Sequence, residues 1–473
     1  MMRKTKIICT IGPSTESKET LMALMQAGMN VARLNFSHGT HDEHLKKIIN
    51  IKAAREELNL PVALLLDTKG PEIRVRDFEN GYVYVEAGQE FTLTCRQDVV
   101  GNESIVSISY EELYNQVNIG EKVLIDDGNI QLTITDIRHK DIVCKVLNNG
   151  RISNKKGINL PGARLDMEYL GETDKKDILF GIENDVDYIA ASFVRKKEDL
   201  IDLRKFLEEN GGNEIKIISK IENQEGLDNF DEILSLSDGI MVARGDMGVE
   251  IDYEKLPGIQ KNIIKKCGEA GKKVITATQM LESMIEKPAP TRAEITDVAN
   301  AVYDGTSAVM LSGETTIGKY PIETVKAMSK IVLQAEMDAP VYDLYSKINP
   351  RASAEISDAI GHAAHQAAKD IDAAAIIAIT LSGYTAEQMS KYTPSMPIIA
   401  ATPSKKTFYQ SVLLRGVIPI LTHDVDDLDV LMKEAVEISK NKNLLKQGDM
   451  VAFTAGIPIQ KRGTTNLLRI ETV

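Results

Sequence analysis

Val62-Ala63-Leu64-Leu65-Leu66-Asp67-Thr68-Lys69-Gly70 is the stretch on which the fold reading turns. Five consecutive apolar residues without alternation describe a strand buried on both faces, as in a parallel sheet covered by helices. The run then ends abruptly in polar residues and a glycine. Upstream, Lys6–Ile11 and Val31–Phe36 are similar β-branched runs. Between them Leu21, Leu24 and Met25 mark an amphipathic helix that stops at Gly28, and Thr40 with Glu43 forms a capping box for the next helix. Downstream the rhythm breaks. From about Pro71 to Leu170 the texture becomes period-two β, with runs at Tyr82–Val85, Phe91–Thr94, Lys122–Ile125, Gln131–Ile134 and Ile142–Val146. Asp127-Gly128 and Asn149-Gly150 are read as hairpin turns. The strand–helix rhythm resumes at Asp187–Val194, Ile215–Ile221, Gly239–Ala243, Lys273–Ala277 and Ser307–Leu311, with a second capping box at Thr291 and Glu294 and a stop at Gly305. Three strands before the insertion and five after it make eight. That number favours a TIM (β/α)8 barrel over a doubly wound open sheet.

The α/β chain therefore divides into a barrel (1–70 and 171–340), an inserted all-β lid read as a β-barrel (71–170) and a C-terminal α/β domain (341–473). The last barrel helix is expected at about Pro321–Met337, with a linker over Ala339–Asn349. Strands of the C-terminal domain are expected near Ala375–Thr380, Ile398–Ala401, Val417–Leu421, Met450–Thr454 and Leu467–Ile470. With 473 residues, 26% charged and 43% hydrophobic, the composition is that of a folded globular protein and excludes wholesale disorder. A net charge of −13 argues against broad nucleic-acid binding. No apolar run approaches the ~20 residues of a membrane span, and Ile7–Ile11 is too short for a signal segment. Cys9, Cys95, Cys144 and Cys267 are far apart and form no CxxC pair, so reduced cytoplasmic thiols are expected.

In a barrel the chemistry gathers at the carboxyl ends of the strands. Here those ends are unusually polar: Arg33, Asn35 and Ser37 at period two after strand two, Asp67-Thr68-Lys69 after strand three, and Lys220 with Glu222 at strand five. Strand six ends in Ala243-Arg244-Gly245-Asp246, strand seven in Thr278-Gln279 and strand eight in Ser312-Gly313-Glu314. Glu222 and Asp246 are hard oxygen ligands on neighbouring ends, the pair that magnesium takes together with substrate oxygens and water. Lys220 sits on the same side as Glu222, where an ammonium can act on a moving phosphoryl group. The turn at Ala243–Asp246 can present free backbone N–H groups to a carboxylate or phosphate. Gly313–Lys319 fits the spacing of a P-loop, but Tyr320 replaces the Ser or Thr that would bind magnesium and Pro321 restarts the helix, so it is read as a loop after strand eight.

The sequence resembles the pyruvate kinase family over nearly its whole length. The matching motifs are Thr10-Ile11-Gly12-Pro13, Arg33–Gly39, Leu66–Arg74, Lys156–Gly162, Ile218–Asn223, Met241–Asp246 and Thr276–Glu282. The resemblance implies phosphoryl transfer from phosphoenolpyruvate to ADP in a cytoplasmic homotetramer. Arg33 would contact substrate phosphate, Glu222 and Asp246 would hold Mg2+ (or Mn2+), and Lys220 would act on the transferring group. Ala243, Arg244, Gly245, Asp246 and Thr278 would hold the pyruvate end, and Arg74 and Lys156 the nucleotide. Asn35, Ser37, Asp67 and Thr68 match the family's K+ site, with Glu72 marking potassium dependence. The lid would exclude water. In the C-terminal domain Thr380, Ser382, Gly383 and Thr385 pass from strand to helix. The bland reading is an N-cap turn; the resemblance implies a pocket for a phosphorylated allosteric effector, closed by Lys461 and Arg462. The end at Val473 reads as lacking the extra C-terminal domain of some bacterial members. Two other functions fit parts of the pattern: a magnesium-dependent lyase of the phosphoenolpyruvate/pyruvate type, and a sugar-phosphate sensor without catalysis. Neither nucleic-acid nor membrane partners are expected.

Overall fold

The continuous apolar strings become the staves of a closed parallel barrel. In a computed structural model describing residues 2–341, 355–458 and 463–473, the eight strands are Lys6–Thr10, Val31–Asn35, Ala63–Asp67, Tyr188–Ala191, Lys216–Ile221, Gly239–Ala243, Lys273–Ala277 and Ala308–Leu311. The first closes on the last, Lys6 pairing with Ala308 and Cys9 with Leu311. Both faces of each strand are covered, which is why alternation is missing from the sequence. Helices ring the outside, and both capping boxes form: Thr40 with Glu43 opens His41–Glu57, and Thr291 with Glu294 opens Arg292–Asp304. Gly28 and Gly305 end their helices at φ of 125° and 97°, conformations that a side chain would strain.

The insertion is all-β, but it is richer than its sequence pattern. Nine strands lie between Ile73 and Asn159, arranged as a seven-stranded sheet and a separate two-stranded ribbon. The two edges of the sheet meet through a Val75–Ile108 bridge, the Arg76 N–H donating to the Ser107 carbonyl and the Ser109 N–H to the Arg74 carbonyl at 2.8 Å each. Four of them have three residues or so and leave no periodic trace. Asn149-Gly150 is not a hairpin turn: Gly150–Ser153 leaves its sequence neighbour and pairs with Tyr82–Val85 in the ribbon. The lid's return segment is clasped to the barrel by Arg195, whose guanidinium donates to the carbonyls of Leu165 and Met167 at 2.8 Å each. Asn159 of the lid also donates to Glu250 of the barrel at 2.8 Å.

The last barrel helix runs Pro321–Val341, beyond the expected end, and the rest of the predicted linker lies outside the described residues. The C-terminal domain is a five-stranded sheet with the strand order Val417–Leu421, Ile398–Thr402, Ala375–Ile379, Met450–Ala455, Leu467–Thr472, the last antiparallel. It docks on the amino end of the barrel. Val412 and Leu413 are buried among Ile8, Val31, Ala63, Leu65 and Tyr188 inside the barrel itself. Tyr188 donates its hydroxyl to the Gln410 carbonyl, and Arg55 stacks 3.5 Å over the Tyr409 ring. Lys6 donates to the Val417 carbonyl at 2.7 Å, and Lys273 pairs with Glu387 out of water.

Candidate active site

Register places the polar strand ends side by side. Asn35 and Asp67 are direct neighbours across strands two and three, and Lys220 neighbours Met241 across strands five and six. Four charged side chains then form one buried row. Arg33 Nε donates to Asp67 Oδ2 at 2.6 Å, Lys220 Nζ to Asp67 Oδ1 at 3.1 Å, and Lys220 Nζ lies 2.9 Å from Glu222 Oε1. Arg33 Nη1 reaches back to Thr10 Oγ1 at 2.8 Å. All four are under a tenth exposed. Burial alone would push the Lys220 ammonium down, but Asp67, Glu222 and Asp246 outweigh it and hold the proton more firmly than usual. Burial would likewise raise Asp67, yet Arg33 and Lys220 keep it below the ordinary range. Glu222 goes the other way: burial, with Asp246 adding to it, lifts its carboxyl to about 8 despite Lys220.

That contrast marks Glu222 as a group built for a cation. Its Oε2 accepts the Phe193 N–H at 2.5 Å, while Oε1 is buried without any hydrogen-bond donor, the Lys220 contact lying off the bonding direction. Phe193 adopts φ of 53°, a left-handed conformation that is costly for an aromatic residue and that aims its N–H at Glu222. Asp246 lies in the first turn of the helix Arg244–Glu250, close enough to raise Glu222. A carboxylate pair with an orphaned oxygen and a strained supporting loop fits a divalent ion that needs further oxygens from its ligand. Among the described residues no cluster of three or more His, Cys, Asp or Glu side chains could hold a metal by itself.

On strands six and seven the Gly245 N–H donates to Thr278 Oγ1 at 2.8 Å, and Thr278 and Gln279 both take positive φ, 68° and 53°. Arg244, expected to face a substrate, is otherwise employed. Its guanidinium donates to the carbonyls of Ala277 (3.1 Å) and Thr278 (2.5 Å) and pairs with Asp297 at 2.8 Å, so it fixes the loop that carries Thr278. Asn35 Oδ1 accepts the Ser37 N–H at 3.1 Å, and Thr68 Oγ1 accepts the Ser192 N–H at 3.1 Å. Asn35, Asp67 and Thr68 thus bring side-chain oxygens to two neighbouring strand ends, while Ser37 enters through its N–H. Beyond the row, a cleft of about 350 Å³ runs between rim and lid past Glu72, Arg74, Asp127, Lys156 and Asp246. Arg74 is paired with Glu72 at 2.5 Å, and Lys156 with Asp126 at 2.7 Å. Burial, followed by Asp246, raises the Asp127 carboxyl above its usual value.

The P-loop lookalike is a short turn, Gly313–Thr316, with Lys319 paired to Glu286 instead of facing the cleft. Glu314, fully buried, accepts the N–H groups of Leu281 and Ser312 and ties this loop to the end of strand seven. The effector candidates lie in the C-terminal domain. Thr380 Oγ1 accepts the Gly383 N–H at 3.0 Å, and Thr385 shares a 3.0 Å hydroxyl contact with Thr465. Thr380, Ser382 and Thr385 line a pocket of about 50 Å³ that also carries Asp424 and Asp426, two carboxylates with no motif to flag them, whereas Gly383 is not among its lining residues. Lys461 and Arg462 lie outside the described residues. Sequence reasoning also missed Ser192, hidden at the end of an apolar run and now in contact with Lys220.

A closed (β/α)8 barrel with a buried cation–carboxylate row at its carboxyl rim, roofed by an all-β lid, defines a barrel enzyme of phosphoryl-transfer type. The pyruvate kinase barrel-domain model matches residues 2–325, and the pyruvate kinase alpha/beta-domain model matches residues 358–471. The pyruvate kinase of Sporosarcina psychrophila is 48% identical, covering 100% of this chain and 81% of the relative. That of Clostridium acetobutylicum is 46% identical and covers 100% of both. The crystal structure of a pyruvate kinase from Cryptosporidium parvum superposes with a TM-score of 0.93 at 43% identity, covering 99% of this chain and 96% of that one. The chain belongs to the pyruvate kinase family and is a transferase enzyme of glycolysis. Among the described residues, no helix is long and apolar enough to cross a membrane.

Proposed function

We propose that this chain transfers the phosphoryl group of phosphoenolpyruvate to ADP at the barrel rim, in the cytoplasm and as a homotetramer. The observation that supports the residue roles most directly is the buried row Arg33–Asp67–Lys220–Glu222, which sets two fixed cations beside a carboxylate with an unused oxygen. Arg33 binds the substrate phosphate. Glu222 and Asp246 would hold Mg2+ or Mn2+, which supplies charge neutralisation at the phosphate and carboxylate oxygens it touches. Asn35, Ser37, Asp67 and Thr68 would hold K+. Lys220 is kept protonated and stabilises charge on the group in flight. Thr278 and the backbone N–H groups of Ala243–Asp246 orient the pyruvate moiety. Arg74 and Lys156 release Glu72 and Asp126 to meet ADP, and the lid closes on the cleft so that water does not accept the phosphoryl group.

The test is pyruvate release in a coupled assay with magnesium and potassium. Pyruvate that appears only when ADP is present supports the reading, and removal of magnesium by a chelator should abolish it. Pyruvate formed without ADP would instead indicate the lyase alternative. The Thr380–Thr385 pocket serves a phosphorylated effector; adding sugar phosphates and AMP one at a time to that assay checks it, and no response to any of them would leave that segment a helix cap.

A further inference from the structure

The end of strand four carries no polar residue singled out from the sequence, yet it supplies the shortest hydrogen bond to Lys220. Ser192 follows Ala191 and is 1% exposed. Lys220 Nζ donates to Ser192 Oγ at 2.7 Å, closer than its 3.1 Å bond to Asp67. A serine hydroxyl has one proton to give. Two acceptors compete for it: the Thr68 carbonyl at 2.6 Å and Asp67 Oδ1 at 3.1 Å. The nearer carbonyl takes it, which turns the oxygen lone pairs toward the ammonium. The backbone of Ser192 is held just as firmly, its N–H on Thr68 Oγ1 at 3.1 Å and its carbonyl accepting from Tyr169 at 3.1 Å.

An ammonium has three N–H groups, and Lys220 faces three partners. Asp67 and Ser192 belong to the barrel wall. The third, Glu222, is a charge contact off the hydrogen-bonding direction, which leaves the third N–H for a phosphoryl oxygen. We infer that Ser192 is a positioning residue for phosphoryl transfer: its hydroxyl, locked by Thr68, fixes the direction of the Lys220 ammonium. This rests on the functional reading above. Ser192 carries no charge, so its removal leaves the ammonium and its carboxylate partners in place and disturbs only aim. Aim matters for a group whose contribution is realised in the transition state.

The experiment compares Ser192→Ala and Ser192→Cys with wild type in the full chain, the cysteine variant keeping the volume while replacing a strong acceptor with a weak one. Losing a hydrogen bond to a charged group predicts a fall in kcat of about tenfold to a hundredfold in both variants. The KM for phosphoenolpyruvate, and its Kd by calorimetry, should stay within about threefold of wild type, because Arg33 still binds the phosphate. Variants that keep kcat within about twofold overturn the inference, as does a parallel loss in KM and calorimetric affinity, the mark of a merely structural role. If wild type itself shows no ADP-dependent pyruvate release, the functional reading has failed and the inference falls with it.

Discussion

Lys220 owes its place to competing forces that single residues can separate. It is buried, which disfavours charge, but it lies between Asp67 and Glu222, which restore it. Lys220→Met keeps an unbranched side chain, one atom shorter, and removes the charge. Turnover should fall by about a hundredfold to a thousandfold, the usual loss for one group acting on transition-state charge. Binding of phosphoenolpyruvate, measured by calorimetry, should be largely retained through Arg33. Turnover above a tenth of wild type would make Lys220 a structural cation. The ammonium is also held protonated by its carboxylate neighbours, so the basic limb of a pH–rate profile should not move when Ser192, which carries no charge, is replaced by Ala.

At the scale of elements, the loop joining strand three to the lid carries the cation question. Glu72 faces Arg74 at 2.5 Å and Lys69 at 3.9 Å, so it already restrains the residue expected to meet ADP. Charges ~4 Å apart interact by up to ~4 kcal/mol at an effective dielectric of ~20, so the sign of residue 72 weighs on the whole mouth. Turnover should be low with magnesium and a bulky organic cation and recover on adding potassium. Glu72→Lys should flatten that response at a reduced maximal rate, since Arg74 loses its partner. Full wild-type activity without potassium, sodium or ammonium would remove the assignment. This loop also shows what sequence can reveal. The apolar string Val62–Leu66 and the polar cluster behind it made the barrel, the rim and Asp67 readable, because burial on both faces writes itself into composition. Ser192 was not readable, since one hydroxyl after an apolar run looks like any strand end. Nor were the left-handed turns at Phe193 and Thr278, which are imposed by what their N–H and side chains must reach. Three-residue lid strands were lost because they are shorter than the window that reveals a period.

Over the whole molecule, the docking of the C-terminal domain buries ionisable groups at the barrel base. Lys6 is buried with its Nζ on the Val417 carbonyl, and burial, with Arg3 adding to it, lowers its pKa to about 7 against the weaker pull of Glu336. Between about pH 7 and the ordinary lysine value of 10.5 the unfolded chain therefore binds a proton that the folded chain does not. Stability from this group rises with pH across that window, and its cost is full below it. Lys6→Met should stabilise the protein at pH 7 by about 1–4 kcal/mol, as replacements of buried ions by apolar groups can, and the gain should shrink toward pH 10. Thermal melts of the two proteins at both pH values check it; a melting temperature lower than wild type at pH 7 would show that the Lys6 hydrogen bond outweighs the burial.

The deepest of these contacts has a consequence for how the chain is made. Leu413 is fully buried inside a barrel whose own strands end at Leu311. The barrel cannot finish its floor from its own residues, and a growing polypeptide must hold Ile8, Val31 and Leu65 partly uncovered until position 413 has left the ribosome. Chaperone engagement during synthesis should therefore persist until the last tenth of the chain, and a release point near the end of the first half-barrel would not be seen.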